Sequence, residues 1–336
     1  MTAPEPVSGR ALSYTRATDV PSAIAAVSAD PTSAFLAGGT TEIDLLRLGV
    51  ARSERLVDIN GLPLTGVASL PDGGVRIGAL TRMNDVAHDP LIVERFPAVS
   101  QSLLLGASDQ LRNMASMGGN LLQRVRCPYF RDAVSPCNKR EPGSGCSALG
   151  GLNRGHAVLG TSDHCIATHP SDVAVALVAF DAVVGTAGPH GAAEIPIDEF
   201  FLAPGDTPHL EHPMQHGELI VDISVPPSAA ARRSSYVKYR DRQSYEFALV
   251  SVAAALDVRD GVVADVRVAL GGVATRPWRA RRAEDHLLGG PASRAAFAEA
   301  AAAELAGATV RGHNAFKVPL AERAIVRALT QAGDLR

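Results

Sequence analysis

Apolar and polar positions alternate along this chain with two different periods, and the changes of period mark its elements. PSAIAAVSAD (21–30) has helical spacing with Pro21 and Ser22 at its start, and SAFLAGG (33–39) is a short apolar strand ending in two glycines. TEIDLLRLG (41–49) returns to helical spacing, and RLVDI (55–59) to a strand. A second unit opens with the strand VRIGAL (75–80), Thr81 as N-cap of a helix reaching Ala87, and a further helix in FPAVSQSLLLGA (96–107). Between about 123 and 170 neither period persists. SDVAVALVAF (171–180) reads as a buried helix, and residues 186–217 as a Gly/Pro/His-rich connection. From 218 onward ELIVDISVP, SSYVKYR, FALVSVAAALDV and VVADVRVALGGV read as strands able to pair in an antiparallel sheet. Ala-rich helices at 292–306 and 316–331 close the chain. The pattern predicts an α+β protein in three parts: residues 1–60, residues 61–228 interrupted by the aperiodic segment, and residues 229–336.

Composition narrows the class. With 336 residues, 46% of them apolar and 20% charged, the chain can bury a large core and exceeds the usual span of one. A net charge of −3 supplies no electrostatic footprint for nucleic acid, and Arg232-Arg233 reads as solvated surface. The opening MTAPEPVSGRALSYTRATDV lacks the basic-then-apolar order of a secretion signal, and the longest apolar run, 173–180, is too short to span a bilayer. We therefore expect no membrane insertion, and a cytoplasmic location unless a signal-bearing partner carries the folded chain to the periplasm.

The four cysteines fall within 39 positions, Cys127, Cys137, Cys146 and Cys165, with nine, eight and eighteen residues between them. Two disulfides, four unrelated thiols, a zinc site and an iron–sulfur site all remain open. A chain of this size needs no disulfides for a core, and structural zinc commonly uses CxxC knuckles that are missing here. Widely spaced thiols in a Gly/Pro-rich loop suit the separated corners of a larger body such as an iron–sulfur cube. His156, His164 and His169 lie in the same stretch as further candidate ligands.

Two glycine turns carry the other chemistry. LAGGTTEID (36–44) runs a strand into Gly38-Gly39 and then a helix, with Thr40 and Thr41 offering hydroxyls where backbone amides can approach a phosphate. NMASMGGNLL (113–122) repeats the small residues and the glycine pair before Asn120. Two amide-rich turns suit the two halves of one pyrophosphate.

FLAGGTTEIDLL, SDQLRNMASMGGNLLQRVRCPYFRD, CNKREPGSGC, HCIATHPSD and GGVATRPWRA together resemble the FAD-binding subunit of molybdenum hydroxylases, the xanthine dehydrogenase and carbon monoxide dehydrogenase family. The match runs in order from about residue 12 to residue 330. The cysteine insert is similar to that of the periplasmic aldehyde oxidoreductase type, whose flavin subunit carries an additional 4Fe-4S cluster; hydroxybenzoyl-CoA reductase has a related insert. The resemblance implies a two-subdomain FAD-binding fold of the PCMH type followed by a C-terminal α+β domain with an antiparallel sheet. It implies that Leu36, Ala37, Gly38, Gly39, Thr40, Thr41, Glu42 and Ile43 wrap the FAD pyrophosphate. Ala107, Ser116, Gly118, Gly119, Asn120 and Leu122 complete the clamp. His169 and Asp172 are carried over as cofactor-binding, Asp172 at the ribityl hydroxyls, with Lys238 near the flavin and Leu219 or Ile220 against the adenine. Cys127, Cys137, Cys146 and Cys165 would hold the 4Fe-4S cluster. Thr41 precedes Glu42 where the family turn usually has an acidic or amide residue soon after its second glycine.

The implied activity is relay of electrons with no catalytic residue for bond-making in this chain. A molybdenum cofactor-binding large subunit oxidises the substrate, a small subunit with two 2Fe-2S clusters passes electrons on, and FAD delivers them to an external electron acceptor. The competing readings are a stand-alone flavin oxidase and a zinc-stabilised, non-catalytic assembly module.

Overall fold

The computed structural model describes residues 12–334; the first eleven residues, read above for a secretion signal, lie outside that description. The N-terminal unit is a parallel sheet of β1 (Ser13–Arg16), β2 (Ser33–Leu36) and β3 (Arg55–Asp58), in the order β1-β3-β2, with α1 (Val20–Ser28) and α2 (Glu42–Arg47) in the crossovers. Pro21 and Ser22 lie in the first turn of α1 as expected, and Asp19 caps it: its carboxylate accepts from the Ser22 N–H at 2.7 Å while the Ser22 hydroxyl accepts from the Asp19 N–H at 3.2 Å. The apolar pattern passed over β1 because its four residues are all exposed. Asp58 binds it from the neighbouring strand. Burial pushes the Asp58 carboxyl up, but hydrogen bonds from the Tyr14 hydroxyl, the Asn60 amides and Arg16 outweigh this and hold it at about 2.

The middle unit is a five-stranded antiparallel sheet in the order β4-β5-β8-β6-β7, built from β4 (Val67–Ser69), β5 (Val75–Gly78), β6 (Val183–Gly188), β7 (Gly191–Pro196) and β8 (Leu219–Val225). The strand at 219–225 therefore lies between β5 and β6 and does not join the C-terminal sheet. Residues 186–217 are more than a connection: β6 and β7 pair across a two-residue turn at Pro189-His190, and the exposed face of β7 hid that pairing from the apolar pattern. Short helices α3 (Met83–His88), α4 (Pro90–Arg95), α5 (Pro97–Leu105), α6 (Asp109–Arg112) and α7 (Met117–Leu121) follow β5. Thr81 does not cap α3; its hydroxyl donates to the Gly78 carbonyl at 2.7 Å, and Arg82 takes the cap position.

The segment from 123 to 170 contains only the single turns α8 (Pro128–Arg131) and α9 (Ser147–Gly150). Side chains hold its backbone. The Arg140 guanidinium donates to the carbonyls of Tyr129, Phe130 and Ser135, and Asn138 accepts from the Gly145 N–H at 2.7 Å while donating to the His164 carbonyl. These bonds supply the closure that a helix or sheet ladder supplies elsewhere.

Helix α10 (Asp172–Ala179) is buried along its whole length, with the Ser171 hydroxyl accepting from the Ala174 N–H as N-cap. After α11 (Ile197–Phe200) the chain builds a second antiparallel sheet, β12-β11-β10-β9, from β9 (Ser234–Tyr239), β10 (Val250–Arg259), β11 (Val262–Gly271) and β12 (Trp278–Arg279). Asp260 and Gly261, both at positive φ, make the hairpin turn between β10 and β11. Helices α12 (Arg281–Leu287), α13 (Arg294–Leu305) and α14 (Lys317–Ala332) cover this sheet, α14 through Ala321, Ala324, Ile325, Ala328 and Leu329 at helical spacing. Because α10 packs on α5 as well as on β10 and β11, the core of the middle unit continues past residue 228 to Tyr236, Ala253, Ala255 and Ala269. No helix among the described residues is long and apolar enough to cross a membrane.

Lys317 joins the cysteine segment to the C-terminal sheet. Fully buried, its Nζ donates to the Gly155 carbonyl at 2.9 Å and the Gly272 carbonyl at 2.6 Å. Burial, helped by the nearby Arg154 charge, pulls its ammonium down to about 7 from an ordinary 10.5. Between those values the unfolded chain binds one more proton at this site than the folded chain, so this contribution raises stability as pH climbs from about 7 toward 10.5 and is flat below it. Urea midpoints measured across that window should rise for the native chain relative to Lys317→Met; parallel curves for the two would contradict this assignment.

Candidate functional site

The two glycine turns meet. A Cβ on Gly38 would lie 2.0 Å from the Met114 carbonyl oxygen, so only glycine lets the first turn rest on the second. Gly39 stands at φ +71°, where a Cβ would also press on Leu36 and Ile43 behind the turn. Among the described residues, the amides of Gly38, Gly39, Thr40 and Thr41 find no acceptor, and the Thr41 side chain makes no capping bond although it precedes α2. A run of unpaired donors in one turn fits an acceptor-rich anion such as a diphosphate. The second turn behaves differently. Gly118 N–H donates to the Ala79 carbonyl at 2.8 Å, and Gly119 N–H to the Ser116 hydroxyl at 3.3 Å. Its amides are largely used inside the protein, so it serves by close approach more than by donation.

Two cavities open from this contact and share Thr40, Thr41 and Gly119. The narrower, about 240 Å³, is lined by Ala37, Gly38, Glu42, Ser116, Gly118 and Leu122 around the turns, and by Ile59, Leu80, Leu219 and Ile220 as an apolar wall. The wider, about 600 Å³, takes Ala107, Asn120, Asp172 and Lys238 on one side and Tyr245, Phe247 and Arg242 on the other. Ala107 stands at φ 52°, an uncommon conformation for a residue with a Cβ, at the cavity wall.

A buried ion pair floors the wider cavity. Lys238 Nζ, with its side chain 1% exposed, donates to Asp172 at 2.7 Å and to the Leu105 carbonyl at 3.1 Å; the Tyr236 hydroxyl donates to the other Asp172 oxygen at 2.7 Å. Burial pushes the Asp172 carboxyl above its usual range, and Lys238 and Tyr236 pull part of that back. Asn120 is fixed at the rim by the Ser171 hydroxyl, which donates to it at 2.5 Å, and by Gln123 at 3.0 Å.

Leu36 and Ile43 back the first turn and do not line either cavity. His169 is turned away from the cleft. Its backbone donates to the Ala274 carbonyl, its ring packs edge-on against Phe201 at 4.6 Å, and burial pulls its imidazole down to about 4. Tyr236, Arg126 and the aromatic pair Tyr245 and Phe247 were not anticipated; the polar-aromatic run RDRQSYEF between two strands was the available signal for the last two.

All four cysteines are free and line one small cavity with Val125, Phe130, Lys139 and Ala167. Cys137 and Cys146 face each other across an antiparallel bridge. The Ala167 N–H reaches the Cys165 sulfur at 3.5 Å, and a His156 ring nitrogen lies 3.2 Å from the Cys127 sulfur. Burial pushes the Cys127 thiol up to about 12 and raises that of Cys165, which Lys139 partly offsets. Thiols so placed stay protonated and inert until a cationic partner stabilises the thiolates. Lys139 itself donates to the Pro208 carbonyl at 2.7 Å and pairs with Glu211 at 3.1 Å. Among the described residues no three His, Cys, Asp or Glu side chains converge as the shell of a single metal ion.

A cleft with an apolar slot, a waist of unpaired amides and a wide chamber defines a protein that holds an extended dinucleotide. Residues 10–228 match the family described as FAD binding domain in molybdopterin dehydrogenase, and residues 235–332 match the CO dehydrogenase flavoprotein C-terminal domain. The chain belongs to the FAD-binding medium subunits of the molybdenum hydroxylase family. It is 46% identical over 325 residues, 96% of this chain and 98% of the relative, to the aldehyde oxidoreductase FAD-binding subunit PaoB of Escherichia coli K12. To the glyceraldehyde dehydrogenase medium chain of Sulfolobus acidocaldarius it is 26% identical, covering 82% of this chain and 81% of that one. Carbon monoxide dehydrogenase from Hydrogenophaga pseudoflava shares the fold with a TM-score of 0.74 at 25% identity, over 96% of this chain and 97% of that chain. Quinoline 2-oxidoreductase from Pseudomonas putida 86 does so at 0.75 and 22%, with the same coverage, and speaks for the fold alone.

Gly38→Ala should separate the two turns and cut FAD content roughly tenfold or more at equal protein, read as the ratio of flavin to protein absorbance. Retention of full flavin by that variant would contradict the role given to the contact.

Proposed function

We propose that this chain is the electron-transferring flavin subunit of a molybdenum-containing aldehyde oxidoreductase. In this reading Cys127, Cys137, Cys146 and Cys165 hold a 4Fe-4S cluster beside the FAD. The observation that carries it is the juxtaposition of four free thiols around one cavity with the dinucleotide cleft, in a chain 46% identical to an aldehyde oxidoreductase FAD-binding subunit. Bound FAD exchanges electrons singly or in pairs and a cluster exchanges them singly, which suits a relay.

The chain's own residues bind and orient. The amides of Gly38 to Thr41 receive the diphosphate, Ile59, Leu80, Leu219 and Ile220 accept the flat apolar end, and Asp172 with Lys238 presents a fixed dipole at the flavin end. The four thiolates bind the cluster, and the Ala167 N–H and His156 ring next to their sulfurs, with Lys139 close by, favour the negative charge it carries. A multi-atom cluster suits this set better than one zinc ion because the four cysteines are widely spaced along the chain and lack the CxxC knuckles that structural zinc commonly uses. The partners in this reading are a large subunit with the molybdenum cofactor, a small subunit with two 2Fe-2S clusters, and an external electron acceptor.

Purification with native partners, followed by metal analysis and a visible spectrum, tests the proposal. The expected result is molybdenum together with about eight irons per FAD, four from the small subunit and four from this chain. About four irons per FAD, or zinc in place of the missing four, would remove the cluster. Flavin without molybdenum or a partner chain would favour the stand-alone oxidase.

A further inference from the structure

Between the thiol cavity and the first glycine turn stands one six-residue helix, α2, and the cysteine segment holds it on two sides. On the inner side Leu45 is buried in one apolar cluster with Val125, Phe130, Cys137, Cys165 and Ala167, while Val50, Ala51 and Cys127 pack against it. Facing the cleft, Asp44 is bound by Arg131 and lies 3.5 Å from Arg126. Arg131 belongs to the turn that Cys127 starts: the Cys127 carbonyl accepts from the N–H groups of Phe130 and Arg131, both at 3.1 Å. The same turn is gripped from the other side by Arg140. Arg126 in turn lies over the Phe247 ring, 5.0 Å from its centre. Arg126 and Arg131 from the cysteine segment line the wide cavity together with Asp44 of α2, Thr40 and Thr41, so these three charged groups leave one net positive charge on the wall of the chamber that receives a dianionic diphosphate.

We propose that the cysteine segment completes the flavin site, with Arg131 as a positioning residue that acts through Asp44 on α2 and the turn of Gly38 to Thr41, so that FAD affinity is coupled to filling of the thiol site. The inference rests on the cluster reading above. The physical basis is rigidity. Without a cluster the Cys127 turn is held by Arg140 and its own backbone bonds; a filled thiol site ties the turn at Cys127 as well, and Arg131, Asp44, α2 and the amide donors are then held more tightly where the diphosphate needs them. Coupling of this kind is reciprocal, so bound FAD also stabilises the filled thiol site.

The test uses the intact assembly carrying Arg131→Gln, Asp44→Asn, both together, Arg131→Lys, or Cys146→Ser. Cys146 is chosen because it lies outside the apolar cluster around Leu45. Three quantities are read: FAD affinity by fluorescence titration of the deflavinated assembly, iron per assembly, and the signal of the reduced cluster by electron paramagnetic resonance. Each change at Arg131 or Asp44 should weaken FAD roughly tenfold with iron unchanged, and the double variant should be no weaker than the singles. Arg131→Lys should recover part of the loss, which a general packing defect would not allow. Cys146→Ser should lose about four irons and weaken FAD in the same direction. Unchanged affinity in Arg131→Gln and Asp44→Asn overturns the positioning role, and unchanged affinity in an iron-depleted Cys146→Ser overturns the coupling. A native assembly with only about four irons per FAD overturns the cluster reading instead, and the Arg131 and Asp44 affinities then decide the positioning role by themselves.

Discussion

The contact of Gly38 with the Met114 carbonyl is the constraint on which the cofactor cleft depends. It brings a turn from a parallel sheet against a turn from the helical layer of an antiparallel one, at a separation that no side chain tolerates. Among the described residues, the N–H groups of Gly38 to Thr41 in that first turn find no acceptor. Buried or half-buried donors are costly when unpaired. The protein leaves that cost in place at the point where an anionic ligand removes it.

The flavin chamber and the thiol cavity treat charge in opposite ways. Asp172 and Lys238 are both deep and bond to each other, with Tyr236 and the Leu105 carbonyl satisfying what the pair leaves over. Their value is orientation, since a buried pair of this kind adds little net stability over apolar residues of the same shape. Among the four thiols, burial instead pushes Cys127 up to about 12 and raises Cys165, which disfavours charge on both. The ion pair is satisfied within the protein while the four thiols form no disulfide, and α2 borders both sites.

No single unit of the chain closes its own core. Helix α10 is apolar all round, which is possible only because it is covered by the middle unit on one side and the C-terminal sheet on the other. Its first residue is Asp172. The floor of the flavin chamber is therefore positioned by packing that runs through both units, and Lys317 adds the cysteine segment to the same body through two backbone carbonyls.

Much of this was legible in the sequence wherever the signal was local. Glycine pairs after an apolar strand, a helix too apolar for any surface and four pooled cysteines each follow from residues adjacent in the chain, and the order of motifs along it carried the family. What adjacent residues cannot encode is who faces whom. The placement of β8 between β5 and β6, the withdrawal of His169 toward Phe201, the use of Gly118 and Gly119 amides inside the protein, and the approach of Arg131 to Asp44 all join positions far apart in the chain. Propensity and spacing are properties of neighbours along the backbone, whereas these pairings were decided by burial and by the need of each buried polar group for a partner, which only the folded chain can supply.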